Sequence, residues 1–394
     1  MTTNYHTPIT TGAAANASAV NNPMAELDEA ISNALLTEKD GHIVQDEGVD
    51  LAQQQRLNFT GEAITATNTV GVTVVTVPKL VENNYLINGG FDLAQRQTPA
   101  TLTTIAQDKY SADRWRISTE NADLQYQRAD GLAESGLTSQ YFGTFKKITN
   151  AGKMMIYQII EGMDSVPLRG KTVTFQAQIK ASSAKTIRMA VLQLQTAGVI
   201  DTIPGTFVTA YGANTVDPTL GANLAIITAA QSKSVTTTMQ TFSVSVTVPV
   251  TAKNLICAIW TDSQFAANDT LSIAEAGLYA SATTQAWTPS KNTQSLCDRY
   301  YQSLYKVFGI AQSSAVVIFN CRLRSAMRST PTIIYPASLT NTVEETNVAF
   351  RTPSALTTKT VTADILIFEA SGMTGLTQGA PCSSTYSIYA ESEL

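Results

Sequence analysis

The chain has 394 residues, a formal net charge of −5 and 44% apolar residues, so it has the length and the apolar content for two or three packed domains. Only 14% of residues are charged, against about 25% in an ordinary soluble domain, and Thr, Ser, Asn and Gln fill the difference. That exchange favours β structure, since β-branched Thr suits an exposed pleated face, and the lack of a basic face argues against a nucleic-acid partner.

Residues 1–22 are small and polar, with no apolar period, and are expected to form an extended attachment arm. Asn22-Pro23 pairs an N-cap with a first-turn proline, and Met24, Leu27, Ile31 and Leu35 follow at helical spacing until Asp40-Gly41. This apolar stripe packs either on its own domain or around an assembly axis. Residues 1–62 hold nine acids against Lys39 and Arg56, an acidic segment that is either simply solvated or docks on a basic surface. Alternation at Leu57 and Phe59, at Ile64 and Ala66, and at Val70, Val72 and Val74 predicts short strands, completing a helix-and-strand attachment region over 23–84.

Residues 85–290 contain short alternating runs separated by turn clusters, at 171–179, 188–194, 241–248, 254–260 and 271–278. With no helices of useful length between them, they predict a jelly-roll β-sandwich. After Trp287-Thr288-Pro289 an amphipathic stretch is expected over 293–304, then a smaller C-terminal β domain over 291–394 with strands at 315–319, 361–368 and 386–389. The predicted class is mainly β: a sandwich, a smaller β domain, a short N-terminal helix and an extended arm.

The inventory of reactive groups excludes much chemistry. Histidine occurs only at His6 and His42, both ahead of the sandwich, which removes a Ser-His-Asp triad or a His-ligated zinc from the body. Cys257, Cys297, Cys321 and Cys382 form no C-x-x-C pair and read as free thiols. No basic-then-apolar leader opens the chain, and no apolar run is long enough for a membrane span. Gly170-Lys171-Thr172 lacks the earlier glycine of a phosphate loop and reads as a strand entry. Asp113, Glu161, Asp164, Asp262 and Glu275 could supply the two carboxylates of a glycosidase, but scattered carboxylates are usually surface groups, and the chain is read as non-enzymatic. Trp115 and Trp260 lie in apolar strand contexts and read as core; Trp287, Tyr141 and Tyr211 are the candidates for stacking on a sugar ring.

Several phrases carry a resemblance. Asn88-Gly89-Gly90-Phe91 precedes Gln95-Arg96 and Tyr110-Ser111-Ala112-Asp113-Arg114-Trp115; Gln158-Ile159-Ile160-Glu161 precedes 168–175; Leu296-Cys297-Asp298-Arg299-Tyr300-Tyr301 precedes Met327-Arg328-Ser329-Thr330-Pro331-Thr332. Together with Leu57-Asn58-Phe59-Thr60-Gly61, this order resembles virion fibre and appendage proteins of tailed bacteriophages that carry a carbohydrate-binding-module-like jelly roll. The resemblance implies a virion protein made in the host cytoplasm, homotrimeric, joined to other virion proteins through its N-terminal segment and adhering to host-surface glycans. A head fibre or capsid-decorating protein is the alternative, and a glycan-depolymerising spike a further one. No cofactor is expected; similar sandwiches sometimes hold a structural calcium, to which Asn88, Asp92 and Glu275 would contribute if they did not simply cap turns.

Overall fold

A computed structural model describes residues 45–46, 49–50, 65–69, 72–76, 84–97, 101–288, 292–346 and 349–394. The expected helix with Met24, Leu27, Ile31 and Leu35, and the arm before it, lie outside the described residues. Residues 1–79 and 80–394 form separate units. In the first, β1 (Gln45–Asp46) pairs with β2 (Val49–Asp50) and β3 (Thr65–Thr69) with β4 (Val72–Thr76), both antiparallel.

The second unit begins with a sandwich. Its strands are β5 (Thr103–Ile105), β6 (Arg116–Thr119), β7 (Leu124–Asp130), β8 (Tyr141–Lys147), β9 (Met154–Ile160), β10 (Thr172–Ala181) and β11 (Lys185–Leu194). They continue with β12 (Val208–Ala210), β13 (Thr219–Leu220), β14 (Leu224–Ile226), β15 (Gln231–Val235), β16 (Gln240–Thr247), β17 (Leu255–Thr261) and β18 (Thr270–Tyr279). The front sheet runs β16-β10-β18-β8-β7-β5 and the back sheet β14-β11-β17-β9-β6, with β15 also on β11. The five runs expected as strands fall on β10, β11, β16, β17 and β18.

Alternation builds the core, because residues two apart share a face. Val173, Phe175, Ala177 and Ile179 of β10 meet Ile187, Met189 and Val191 of β11 in one buried cluster, which also holds Trp115. β9 and β17 are buried at every position, and apart from Gln158 and Thr261 their residues are apolar. Their other faces, including Met155, Tyr157, Ala258 and Trp260, form a second core under the long connection between β11 and β14, where Phe207 stacks on Tyr157 at 3.8 Å. Trp115 and Trp260 are both core residues, as expected.

The turn over residues 87–91 closes one end of the front sheet. Phe91 is fully buried, 5.1 Å from the Trp115 ring, and the Trp115 indole N–H donates to Asn88 O at 3.0 Å. Both Asn88 and Phe91 adopt left-handed backbone conformations, unfavourable for Phe and held by this packing. Gly89 lies against a bulge in β18: the Ala276 N–H donates to Gly89 O, and a Cβ on Gly89 would sit 2.0 Å from Ala276 O. Gly89→Ala is therefore expected to lower unfolding free energy in urea by about 1–3 kcal/mol, because backbone must move to admit the methyl group.

Residues 301–394 supply β19 (Tyr301–Tyr305), β20 (Phe308–Ser313), β21 (Val316–Arg322), β22 (Thr332–Ile334), β23 (Val343–Glu345), β24 (Ala349–Arg351), β25 (Ala355–Val361), β26 (Ile365–Ser371), β27 (Pro381–Ser384) and β28 (Ser387–Glu391). A three-stranded sheet, β19-β28-β22, and a seven-stranded sheet, β24-β23-β27-β20-β21-β26-β25, share a core around Phe319 and Phe368, stacked at 4.6 Å. Two expectations are corrected here. The stretch 293–304 is not one amphipathic segment: the helix ends at Asp298 and Tyr301 already pairs with β28. The run 361–368 is two strands, β25 and β26, parted by a turn in which the Thr362 hydroxyl accepts from the Ile365 N–H at 3.1 Å.

Candidate functional site

The turn that closes the front sheet also assembles a small cluster of polar and aromatic groups. Asp92 follows the left-handed Phe91, and Arg128 of β7 donates to Asp92 O while its guanidinium carbon lies 4.2 Å above the Tyr141 ring. On the other side, a Cβ on Gly90 would lie 3.0 Å from both Asp92 Oδ2 and the six-membered ring of Trp287. The glycine lets carboxylate and indole approach the backbone more closely than a methyl group would allow. Trp287 thus rests against this turn, and Tyr141 is joined to it through the Arg128 guanidinium; both residues, two of the three expected from sequence to stack on sugar, are half-buried. Sequence reasoning reaches Asp92 only as a turn cap or a calcium ligand and misses Arg128, because nothing local in the sequence joins the Asp92 phrase to position 128.

The cluster combines aromatic rings with charged and polar groups. The Trp287 Nε1–H is buried without a protein partner among the described residues. Burial pushes the Asp92 carboxyl up from its ordinary value, with Arg128 pulling it back down. Together a carboxylate, a guanidinium and two aromatic rings form one connected cluster.

Tyr211 is placed elsewhere. It packs on the second core, over the back sheet, and its hydroxyl donates to Ser118 O at 2.8 Å. It lines a separate open depression of about 580 Å³ with Glu120, Lys153 and Asn214.

The candidate catalytic carboxylates have structural partners. Asp113 pairs with Arg96, Glu161 with Arg299 and Asp262 with Arg188. Glu275, left-handed at the β18 bulge, accepts from the Thr138 and Ser139 N–H groups, fixing the loop over the front sheet. Asp164 is partly buried, its carboxyl raised by desolvation and by the nearby Glu161. Of the calcium candidates, Asn88 donates to Leu93 O and Asp113 O and accepts from Leu93 N–H, which is turn capping. Among the described residues no three metal-ligating side chains converge, and no helix is long and apolar enough to cross a membrane.

The remaining phrases meet in a buried joint between the sandwich and the 292–394 region. Arg114 ion-pairs with Glu393 at 2.6 Å, donates to Ile159 O at 2.7 Å and lies 3.5 Å over the Tyr300 ring. Arg96 contacts Glu391 at 3.2 Å and Glu393 at 3.0 Å, and covers the Tyr301 ring at 3.7 Å. Asp298 receives Arg324 at 2.9 Å and the Gln95 amide at 3.2 Å. The Q-R, Y-S-A-D-R-W and L-C-D-R-Y-Y phrases are thus complementary halves of one polar joint.

No family model matches the sequence, and no curated protein matches it. Among solved structures the chain is similar to the carbohydrate-binding module TmCBM61 in complex with β-1,4-galactotriose, at 14% identity over 50% of this chain and 98% of that one, TM-score 0.28. It is similar to the enzymatically active domain of bacteriophage CBA120 tailspike protein 4, at 12% identity over 50% of this chain and 21% of that one, TM-score 0.31. A third is the C-terminal family 22 carbohydrate-binding module of Clostridium thermocellum Xyn10B, at 12% identity over 46% and 94% of the two chains, TM-score 0.28. At these scores the likenesses assign neither an activity nor a ligand to the chain.

Proposed function

We propose that this chain is a non-enzymatic virion protein of a tailed bacteriophage, a homotrimeric fibre or appendage subunit that adheres to host-surface glycans. The observation that carries the glycan reading is that Trp287 and the Asp92 carboxylate both lie against Gly90, while Arg128 joins the same turn to the Tyr141 ring. The virion assignment rests on the phrase order described above, from residues 57–61 through 327–332. Three weak sites on one particle give useful avidity without a tight single site.

The test is binding of the full chain to an array of purified bacterial envelope polysaccharides, followed by calorimetry with the best binder. Trp287→Ala is expected to weaken binding by about tenfold or more, since loss of one stacked ring costs on the order of 1.5 kcal/mol. Equal binding by Trp287→Ala and Tyr141→Ala, or no binding to any polysaccharide, rejects this site.

A further inference from the structure

The outward face of the seven-stranded sheet departs from the rule that an uncovered antiparallel face is polar. Pairing registers place Phe350, Phe308 and Ile367 on one row across the sheet, through Glu344, Ser383 and Asn320, with Ile310 and Ile318 on the next row. Phe308 is 70% exposed, Phe350 57%, Ile310 54% and Ile365 38%. Their strand neighbours Val317, Phe319, Leu366 and Phe368 point the other way and fill the core, so the outward apolar residues contribute nothing to it.

We infer that this face is where copies of the chain meet. Seven strands about 4.8 Å apart, each about 10–23 Å long, present on the order of 500–700 Å². That is the area of the whole face, its polar residues included, and it approaches the roughly 800 Å² per partner of a stable interface. The charges suit a contact of one side of this face with the other side of the next copy's face, the heterologous kind that closes a ring. Lys306 and Arg322 flank an open groove of about 350 Å³ beside Phe308 and form no ion pair among the described residues, while Glu344 on the opposite side of the row also forms none. Packing one copy on another can bring these opposite charges together at the rim, where interfaces are polar. A membrane surface would meet the Glu344 carboxylate on the central row.

This inference deepens the homotrimer reading and does not depend on the glycan site. Its test is sedimentation velocity of the full chain over a wide concentration range, for wild type and for Phe308→Glu/Ile310→Glu. Wild type is expected to sediment as an oligomer. The double variant should sediment as a single chain, or dissociate at a protein concentration at least about tenfold higher, with an unchanged near-ultraviolet circular dichroism spectrum. An oligomer of unchanged mass and unchanged dissociation midpoint overturns the inference while leaving the homotrimer reading intact, whether another surface joins the copies or another part of the same chain covers the sheet. A monomeric wild type overturns both.

Discussion

Replacing Arg114 with Met is expected to lower the unfolding free energy of the chain by about 3–5 kcal/mol, read from urea denaturation. The Arg114 side chain is 1% exposed, and its guanidinium serves Glu393, Ile159 O and the Tyr300 ring together. Removing it leaves Glu393 buried with Arg96 as its remaining ion-pair partner, and takes the donor from a buried carbonyl. The cost lies chiefly in these uncompensated groups, because a desolvated ion pair contributes little over a well-packed apolar substitute, whereas a broken one leaves a charge without water. Exchanging both members, Arg114→Met with Glu393→Met, should recover part of the loss, and a double-mutant cycle would measure how much. If Arg114→Met unfolds at the wild-type urea concentration, the joint does not contribute to stability.

The second large effect is on pH dependence. Burial pushes the Asp113 carboxyl up to about 6; Arg96 and the Gln95 N–H pull it down, while Glu393 and Asp298 add to the rise. A carboxyl whose folded pKa lies above its unfolded value holds its proton more tightly when folded. Its contribution to stability is therefore full below about pH 4 and is lost as the pH rises through about 6. Comparing wild type with Asp113→Asn, which does not titrate, isolates this group from other acids. The stability of wild type relative to the variant should fall by about 2–3 kcal/mol between pH 4 and pH 7.5, since each tenfold change in proton affinity between the folded and unfolded chain is worth about 1.4 kcal/mol. A difference that stays flat, or rises with pH, would mean that Arg96 dominates and the carboxyl is ionised throughout.

The sandwich was legible in the sequence because its strands alternate, as in β10 and β16, or are mostly apolar between turn signals, as in β17. The β25–β26 boundary was not, because the turn Thr362-Ala363-Asp364 contains no Gly or Pro, and its chain reversal is held by the Thr362 hydroxyl. The break inside the amphipathic stretch 293–304 was not legible since helical and strand periods agree over the short run Leu296 to Tyr300, and only pairing with β28 decides where the strand begins. At the candidate site, Trp287 and Tyr141 could be nominated as aromatic residues in polar surroundings, but their shared turn depends on Arg128 and Gly90, remote from Trp287 in sequence. Tyr211 looked equivalent to them because a loop sequence does not reveal that the loop lies over a second core.

The joint also sets a timetable. Arg114 and Glu393 are 279 residues apart, an interval that a ribosome adding about 5–20 residues per second needs roughly 15–55 s to translate. The last sandwich strand ends at Tyr279, so Arg96 and Arg114 are synthesised with Asp113 and Ile159 O as early partners, and Glu391 and Glu393 join them later. Closure of the joint is thus a late event, timed by synthesis of residues 391–393.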